Sequence, residues 1–327
     1  MFQKLEMPLF IQEAIKQKKP RALFIELLLF GVVFWIAGMV ESILMVPFTV
    51  IAMLGHTEEL RALVEMGDMG SDAMLEFVAK LYASPVLIIG SLFATVGMIV
   101  TVIIYCRFLE KRRLSTMGLL RPFGKEYAVG ALIGLVLFGV YIIFSMALGG
   151  VGFLGLSESF HLPTVLLLLL GYLVQGFSEE ILCRGYFMTS LCRTMPLPVA
   201  LAVSSLFFSL LHIGNTGFDL LSFVNVFLFG ILMGLYVIRR GNLWGACALH
   251  ALWNFAEGVL TDFTVSGLAM PSSVFSFQTE GASTFIIGGA FGPEGGFAVT
   301  FVLTLGVVIL LMMQGKSVNN SSQINTP

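Results

Sequence analysis

Two adjacent carboxylates and an arginine, in Ser178-Glu179-Glu180-Ile181-Leu182-Cys183-Arg184, close a run of almost unbroken apolar residues that begins near Val165. A charge at the centre of a bilayer costs about 2.5–3.5 kcal/mol even on the lenient insertion scale, so such residues face a protein interior and serve a function. Glu180 and Arg184 are four apart, with the acid N-terminal to the base, the better order for an ion pair on one helical face. Glu179 lies roughly 100° round the helix from Glu180. Arg184 can neutralise Glu180 and hold it in place, a structural role, which leaves Glu179 free for chemistry. Gln175 and Gly176, polar and small, lie on the side of Glu179.

His212 and His250 are the only histidines in or beside the later apolar segments. Phe208 and His212 are four apart, as are His250 and Asn254, so each pair shares a helix face. The set suits peptide-bond hydrolysis. A carboxylate can take a proton from water and an imidazole can orient that water. An amide and a second imidazole can donate to the oxyanion of a tetrahedral intermediate. The same His212, His250 and Glu179 could instead hold a zinc ion that activates the water. The sequence leaves both routes open, although His-Glu-x-x-His is absent. Neither a serine-nucleophile elbow nor a Gly-x-Gly-Asp motif is present. Singly, each residue also has a plain reading: a buried histidine as a hydrogen-bonding helix partner, Asn254 as a helix–helix contact.

The elements that must position these groups are apolar helices. The chain has 327 residues, 57% hydrophobic and 12% charged, with a mean hydropathy of +0.94, whereas a soluble domain is roughly a quarter charged. The expected fold class is all-α, a polytopic membrane bundle of about eight transmembrane helices of ~20 residues each. The spans expected are 23–54, 85–106, 127–146, 163–194, 199–212, 220–238, 243–260 and 297–313. The first is long enough to tilt or to kink at Pro47. Pro163 suits a first helical turn, Met195-Pro196-Leu197-Pro198 breaks the fourth span, and Asn242 can cap the seventh. Gly130 with Gly134, and Gly230 with Gly234, have the spacing that lets helices approach closely. Glu26 and Glu257 read as interfacial, and Glu41 as a deeper structural residue.

Helix arithmetic sets depths. Glu179 lies 17 residues before Pro196 and His212 lies 16 after it. At ~1.5 Å per residue both stand roughly 24–26 Å from the turn, level with one another in an antiparallel hairpin. His250 is only 7 residues into the seventh span, about 11 Å from its start. It therefore sits nearer the cytoplasmic side, unless the spans are offset.

Basic residues suggest the orientation. A basic prologue (Lys4, Lys16, Lys18, Lys19, Arg21), the loop after the second span (Arg107 to Lys125), Arg193, Arg239-Arg240 and Lys316 fall on one side of eight spans, and only Arg61 and Lys80 fall on the other. The positive-inside rule then puts both termini in the cytoplasm, with a prokaryotic plasma membrane as the expected location. No cleavable signal is evident. Residues 56–84 read as a solvated helix pair, 149–161 as a Gly-rich turn, 261–296 as an extracytoplasmic loop, and Gln314 onward as a disordered tail. Cys106, Cys183, Cys192 and Cys247 suggest neither a disulfide framework nor a zinc knuckle. A net charge of -2 implies no nucleic-acid partner. The organisation expected is 1–162 (prologue, three spans and their loops), 163–260 (catalytic core helices) and 261–327 (loop, last span and tail).

Three blocks carry a resemblance. Glu179-Glu180-Ile181-Leu182-Cys183-Arg184 matches E-E-x-x-x-R, Phe208-Ser209-Leu210-Leu211-His212 matches F-x-x-x-H, and His250-Ala251-Leu252-Trp253-Asn254 matches H-x-x-x-N. In this order the chain resembles the CPBP family of intramembrane proteases (CAAX proteases and bacteriocin-processing enzymes, also called Abi) across about 163–258. The resemblance implies an endopeptidase acting on a peptide or lipidated-protein substrate in the bilayer, typically after a prenylated cysteine. It implies Glu179 as base, His212 as the water-orienting partner, and His250 with Asn254 as the oxyanion hole. The family is described both as glutamate-type and as zinc-dependent, so a zinc cofactor stays possible on sequence grounds. Two other classes are weighed: a non-catalytic membrane scaffold or immunity factor, and a proton-coupled transporter, which the lack of an evident internal repeat disfavours.

Overall fold

The structure, a computed structural model, describes residues 3–17, 20–65, 72–279, 281 and 283–314. Lys18, Lys19, Asp68, Lys316 and the tail beyond Gln314 lie outside the described residues. Helix α1 is Leu9–Gln17, α2 is Leu23–Leu54, α3 is Thr57–Glu65 and α4 is Asp72–Tyr82. Then come α5 (Pro85–Leu109), α6 (Phe123–Ala147) and α7 (Leu162–Leu191). The last four are α8 (Leu197–Leu210), α9 (Leu220–Arg240), α10 (Trp244–Phe255, continued by π-helical turns over Ala256–Leu260) and α11 (Phe297–Met312). The fold is an all-α bundle with a helix at each of the eight expected spans. Among the described residues α2, α5, α6, α7 and α9 are long and apolar enough to cross a membrane, and α8 and α11 are shorter apolar helices. α10 is the core helix, with Cys247, Ala248, Ala251 and Trp253 fully buried.

The glycines expected to mediate close approach do so. A Cβ on Gly130 or Gly134 of α6 would collide with the backbone carbonyl of Gly245 or Leu249 on α10. On α9, Gly230 and Gly234 face Ser205 and Leu201 of α8. α2 runs unbroken through Pro47. α3 and α4 form the expected pair outside the bundle, bridged by Lys80 and Glu59 at 2.8 Å. Asn242 caps α10 as expected, its Oδ1 accepting from the Trp244 amide at 2.8 Å.

Three expectations are corrected. The 149–161 segment is not a simple turn: it contains strand β1 (Gly152–Leu156), which pairs antiparallel with β2 (Phe275–Gln278) from the 261–296 loop. That loop is built rather than loose, and part of it folds back against the bundle. Glu26, expected to be interfacial, is buried within a charge cluster. It is 1% exposed, within 3.5 Å of Arg193 and 3.9 Å of Arg21. Glu110 joins the same cluster, at 2.6 Å from Arg21 and 2.8 Å from Arg193. Nearby Arg112 is fully buried, donating to Thr116 O, Gly185 O and Ser190 Oγ. Charges that read as loop charges are thus the joinery between α2, α7 and the 110–117 segment.

The tight α6–α10 contact predicts an asymmetry along one helix. Gly130→Ala forces the helices apart and is expected to cost about 1–3 kcal/mol, as overpacking does. Gly139→Ala, where an added Cβ meets nothing within 4 Å, is expected to be neutral or slightly stabilising. Thermal unfolding in detergent of the two variants checks this; equal losses would contradict it.

Candidate active site

The site is built on one shared carboxylate oxygen. Glu180 Oε1 accepts from Arg184 Nη1 at 2.7 Å, one turn on along α7, and from His250 Nδ1 at 2.9 Å across on α10. Glu180 is fully buried and Arg184 is 1% exposed. Arg184 also donates to the Gly230 carbonyl of α9 at 3.0 Å and lies 4.6 Å from the Phe208 ring centroid. Phe208 itself stands between the two histidines, 4.9 Å from the His212 ring and 6.0 Å from the His250 ring. The expected role of Glu180 and Arg184 as an ion pair is found, and Glu180 does more than expected, because it also orients His250.

The two imidazoles are pinned in the same way. A carbonyl oxygen can only accept, so the 2.8 Å contact of His212 Nδ1 with Phe208 O makes Nδ1 the donor. The Glu180 carboxylate fixes Nδ1 of His250 likewise. In each ring Nε2 is left as the atom free for the site. Glu179 is held differently. Its Oε1 accepts from Gln175 Nε2 at 2.6 Å, and Gln175 Oε1 accepts from Asn254 Nδ2 at 3.1 Å. Glu179 Oε2 has no hydrogen-bond partner among the described residues, and His250 Nε2 is 3.6 Å away. Glu179 is 24% exposed while His250 is 3% exposed, so of the two acids it is the one open to water.

Glu179, His212, His250 and Asn254 line one cavity of about 480 Å³. Glu179 and His212, expected to be level with one another, share this cavity, and His250 reaches it from α10. The Leu243 amide, at the start of α10, donates to Gly118 O at 2.8 Å. Leu243 in turn packs on Gly185 of α7. Since Gly185 is six residues after Glu179 and Leu243 seven before His250, α10 begins beside the C-terminal part of α7 and brings His250 to the level of Glu179.

Three further acids are placed by the structure. Glu41, expected to be a deeper structural residue, lines the same cavity, and its Oε1 has no partner among the described residues. Glu257, expected to be interfacial, is fully buried in the bundle, with neither carboxylate oxygen hydrogen-bonded among the described residues. Glu294 went unnoticed. It reaches the cavity wall from the Gly292-Pro293-Glu294-Gly295-Gly296 turn of the 261–296 loop and accepts from the Ser266 hydroxyl. Burial pushes its carboxyl above the usual range, against the opposing pull of His212 and His250. Its only sequence signal is a lone charge among glycines.

As placed, the donors do not fit a zinc ion. Among the described residues no three His, Cys, Asp or Glu side chains converge as a ligand set.

Residues 161–256 match the family described as type II CAAX prenyl endopeptidase Rce1-like. No curated protein and no solved structure matches the chain. The matched segment holds all three motif blocks and excludes Glu41 and Glu294. With five helices long and apolar enough to span a bilayer, the chain is an integral membrane protein.

Arg184→Met strands the Glu180 charge in the interior and is expected to cost about 3–5 kcal/mol, as removing one partner of a buried pair does. Adding Glu180→Gln is expected to recover part of that loss. Thermal unfolding of the single and double variants measures both; a single variant as stable as the native protein would contradict the prediction.

Proposed function

Starting from the Rce1-like segment at residues 161–256, we propose that the protein is an intramembrane endopeptidase in which Glu179 activates the attacking water. The observation that carries this reading is Glu179, the more exposed of the two acids, lining a polar cavity together with two histidines whose Nδ1 atoms are occupied.

Water enters between Glu179 Oε2 and His212 Nε2. Glu179 takes one of its protons, while His212, neutral and hydrogen-bonded through Nδ1, accepts the other in a hydrogen bond and so aims the oxygen. The oxygen attacks the scissile carbonyl carbon, and the carbonyl becomes an oxyanion. Acting as an imidazolium, with one proton on Nδ1 held by Glu180, His250 donates from Nε2 to that oxyanion, and so does the second amide hydrogen of Asn254, whose first is committed to Gln175. Glu179 then returns its proton to the leaving nitrogen as the C–N bond breaks, giving a carboxylic acid and an amine. The Asn254–Gln175–Glu179 chain keeps the base and the oxyanion donor at a fixed separation. The substrate class that fits is a peptide segment at the membrane, including lipidated protein ends as the family description indicates.

Glu179→Gln removes the base and keeps the shape, so turnover of a cleavable peptide by reconstituted protein is expected to fall by about 10²–10⁴-fold. Full activity in Glu179→Gln would overturn the reading. Chelation of the purified protein separates the two chemistries: activity is expected to persist, and its loss with recovery on added zinc would favour a metal route instead.

A further inference from the structure

The cavity that holds Glu179 has an excess of acceptors. Its walls carry three carboxylates, Glu41, Glu179 and Glu294, and no lysine or arginine. Three of the lining residues have a buried side-chain oxygen without a hydrogen-bond partner among the described residues: Glu41 Oε1, Glu179 Oε2 and Asn254 Oδ1. All are acceptors, and Asn254 is 5% exposed. Enclosed acceptors without donors are unfavourable, so the donors that satisfy them come with whatever enters. An ammonium brings three donors and a guanidinium five, and neither has an acceptor to waste on these walls.

Glu294 is put there deliberately by its loop. Asn225 of α9 is fully buried and donates to Glu294 O at 2.8 Å and to Gly296 O at 2.9 Å. Thr300 holds Asn225 in turn, donating to its Oδ1 at 2.6 Å. Gly288 and Gly292 sit at φ 86° and 96° in packed positions where a Cβ would strike Gly292 O and Thr264 O. A clamp of this kind places one side chain and little else. Glu294 also lies outside the matched segment.

We propose that the cavity selects a peptide carrying a lysine or arginine beside the bond to be cut, with Glu294 as the specificity-determining carboxylate. The inference rests on the hydrolase reading for what happens next, but not for the binding itself. In the complex the substrate cation lies against Glu294, and Glu41 receives its remaining donors. Glu179 stays with the water. A peptide with an acidic residue in the same place meets like charge and is excluded, since specificity needs a repulsive element as well as an attractive one.

The test uses full-length protein in proteoliposomes and three peptides capped at both ends, identical except for Lys, Gln or Glu beside the scissile bond. Binding is read by displacement of a fluorescent peptide and cleavage by mass spectrometry. The Lys peptide is expected to bind about tenfold more tightly than the Gln peptide, within what close charge pairs give across interfaces, and the Glu peptide more weakly than either. Glu294→Gln is expected to erase most of the Lys advantage and Glu294→Asp to keep much of it. Equal affinities for the three peptides in the native protein overturn the proposal, and that comparison needs no variant to fold. Selective binding without cleavage supports the proposal and sinks the hydrolase; cleavage without selectivity does the reverse.

Discussion

The carboxylate of Glu180 is the constraint on which the site depends. Taking a charge out of water costs several kcal/mol per ion even after relaxation. Here that cost is offset by two charge-assisted bonds to a single oxygen, from Arg184 and His250. Arg184 is further held by the Gly230 carbonyl and the Phe208 ring. One buried acid thus ties α7, α8, α9 and α10 together at one level. The catalytic consequence is indirect. Because Glu180 Oε1 is shared by Arg184 and His250, its neighbour Glu179 need not neutralise either, and because His250 is pinned through Nδ1, only Nε2 can meet a substrate.

Such convergence requires helices closer than large side chains permit. Gly176 lies against the backbone of Ala251, two residues beyond Leu249 and six beyond Gly245, which meet Gly134 and Gly130 on the other side of α10. α10 is therefore gripped between α6 and α7 by backbone contact, and its polar residues cannot drift. The π-helical turns at Ile181–Met188, immediately after the two acids, belong to the same adjustment. Wider turns leave carbonyls without their usual partners. Ser204 donates to Cys183 O at 2.9 Å and Thr189 to Arg184 O at 2.9 Å, so the irregularity is satisfied inside the bundle.

The reactive residues were legible because their spacings are local. E-E-x-x-x-R, F-x-x-x-H and H-x-x-x-N each report one helix face, and Pro196 gave a common origin from which Glu179 and His212 could be levelled. The same arithmetic left His250 out of place because it assumes that each span starts at the membrane surface. The 110–122 segment folds inward, Gly118 binds Leu243, and α10 starts beside the C-terminal part of α7. Charges that meet only in three dimensions were misread for a related reason. Glu26 and Arg193 are 167 positions apart, and no periodicity records their meeting. Glu294 lies in a glycine-rich turn whose hydrophobic pattern says nothing, and its position follows from Asn225 on another element.

The division of labour between matched and unmatched segments has a physical basis. Atoms that must meet a reacting carbonyl within a few tenths of an ångström belong on rigid elements with locked neighbours, and every such atom here comes from the helices and helix end within 161–256. The walls have a looser requirement. They must enclose volume, exclude lipid and present charge of the right sign. Glu41 of α2, Ser91 and Thr95 of α5, and the 265–268 and Glu294 positions of the loop meet it from outside that segment. Chemistry can then stay fixed while the walls are altered, because moving a wall carboxylate changes which peptide is held without moving the base, the histidines or the buried oxygen that orients them.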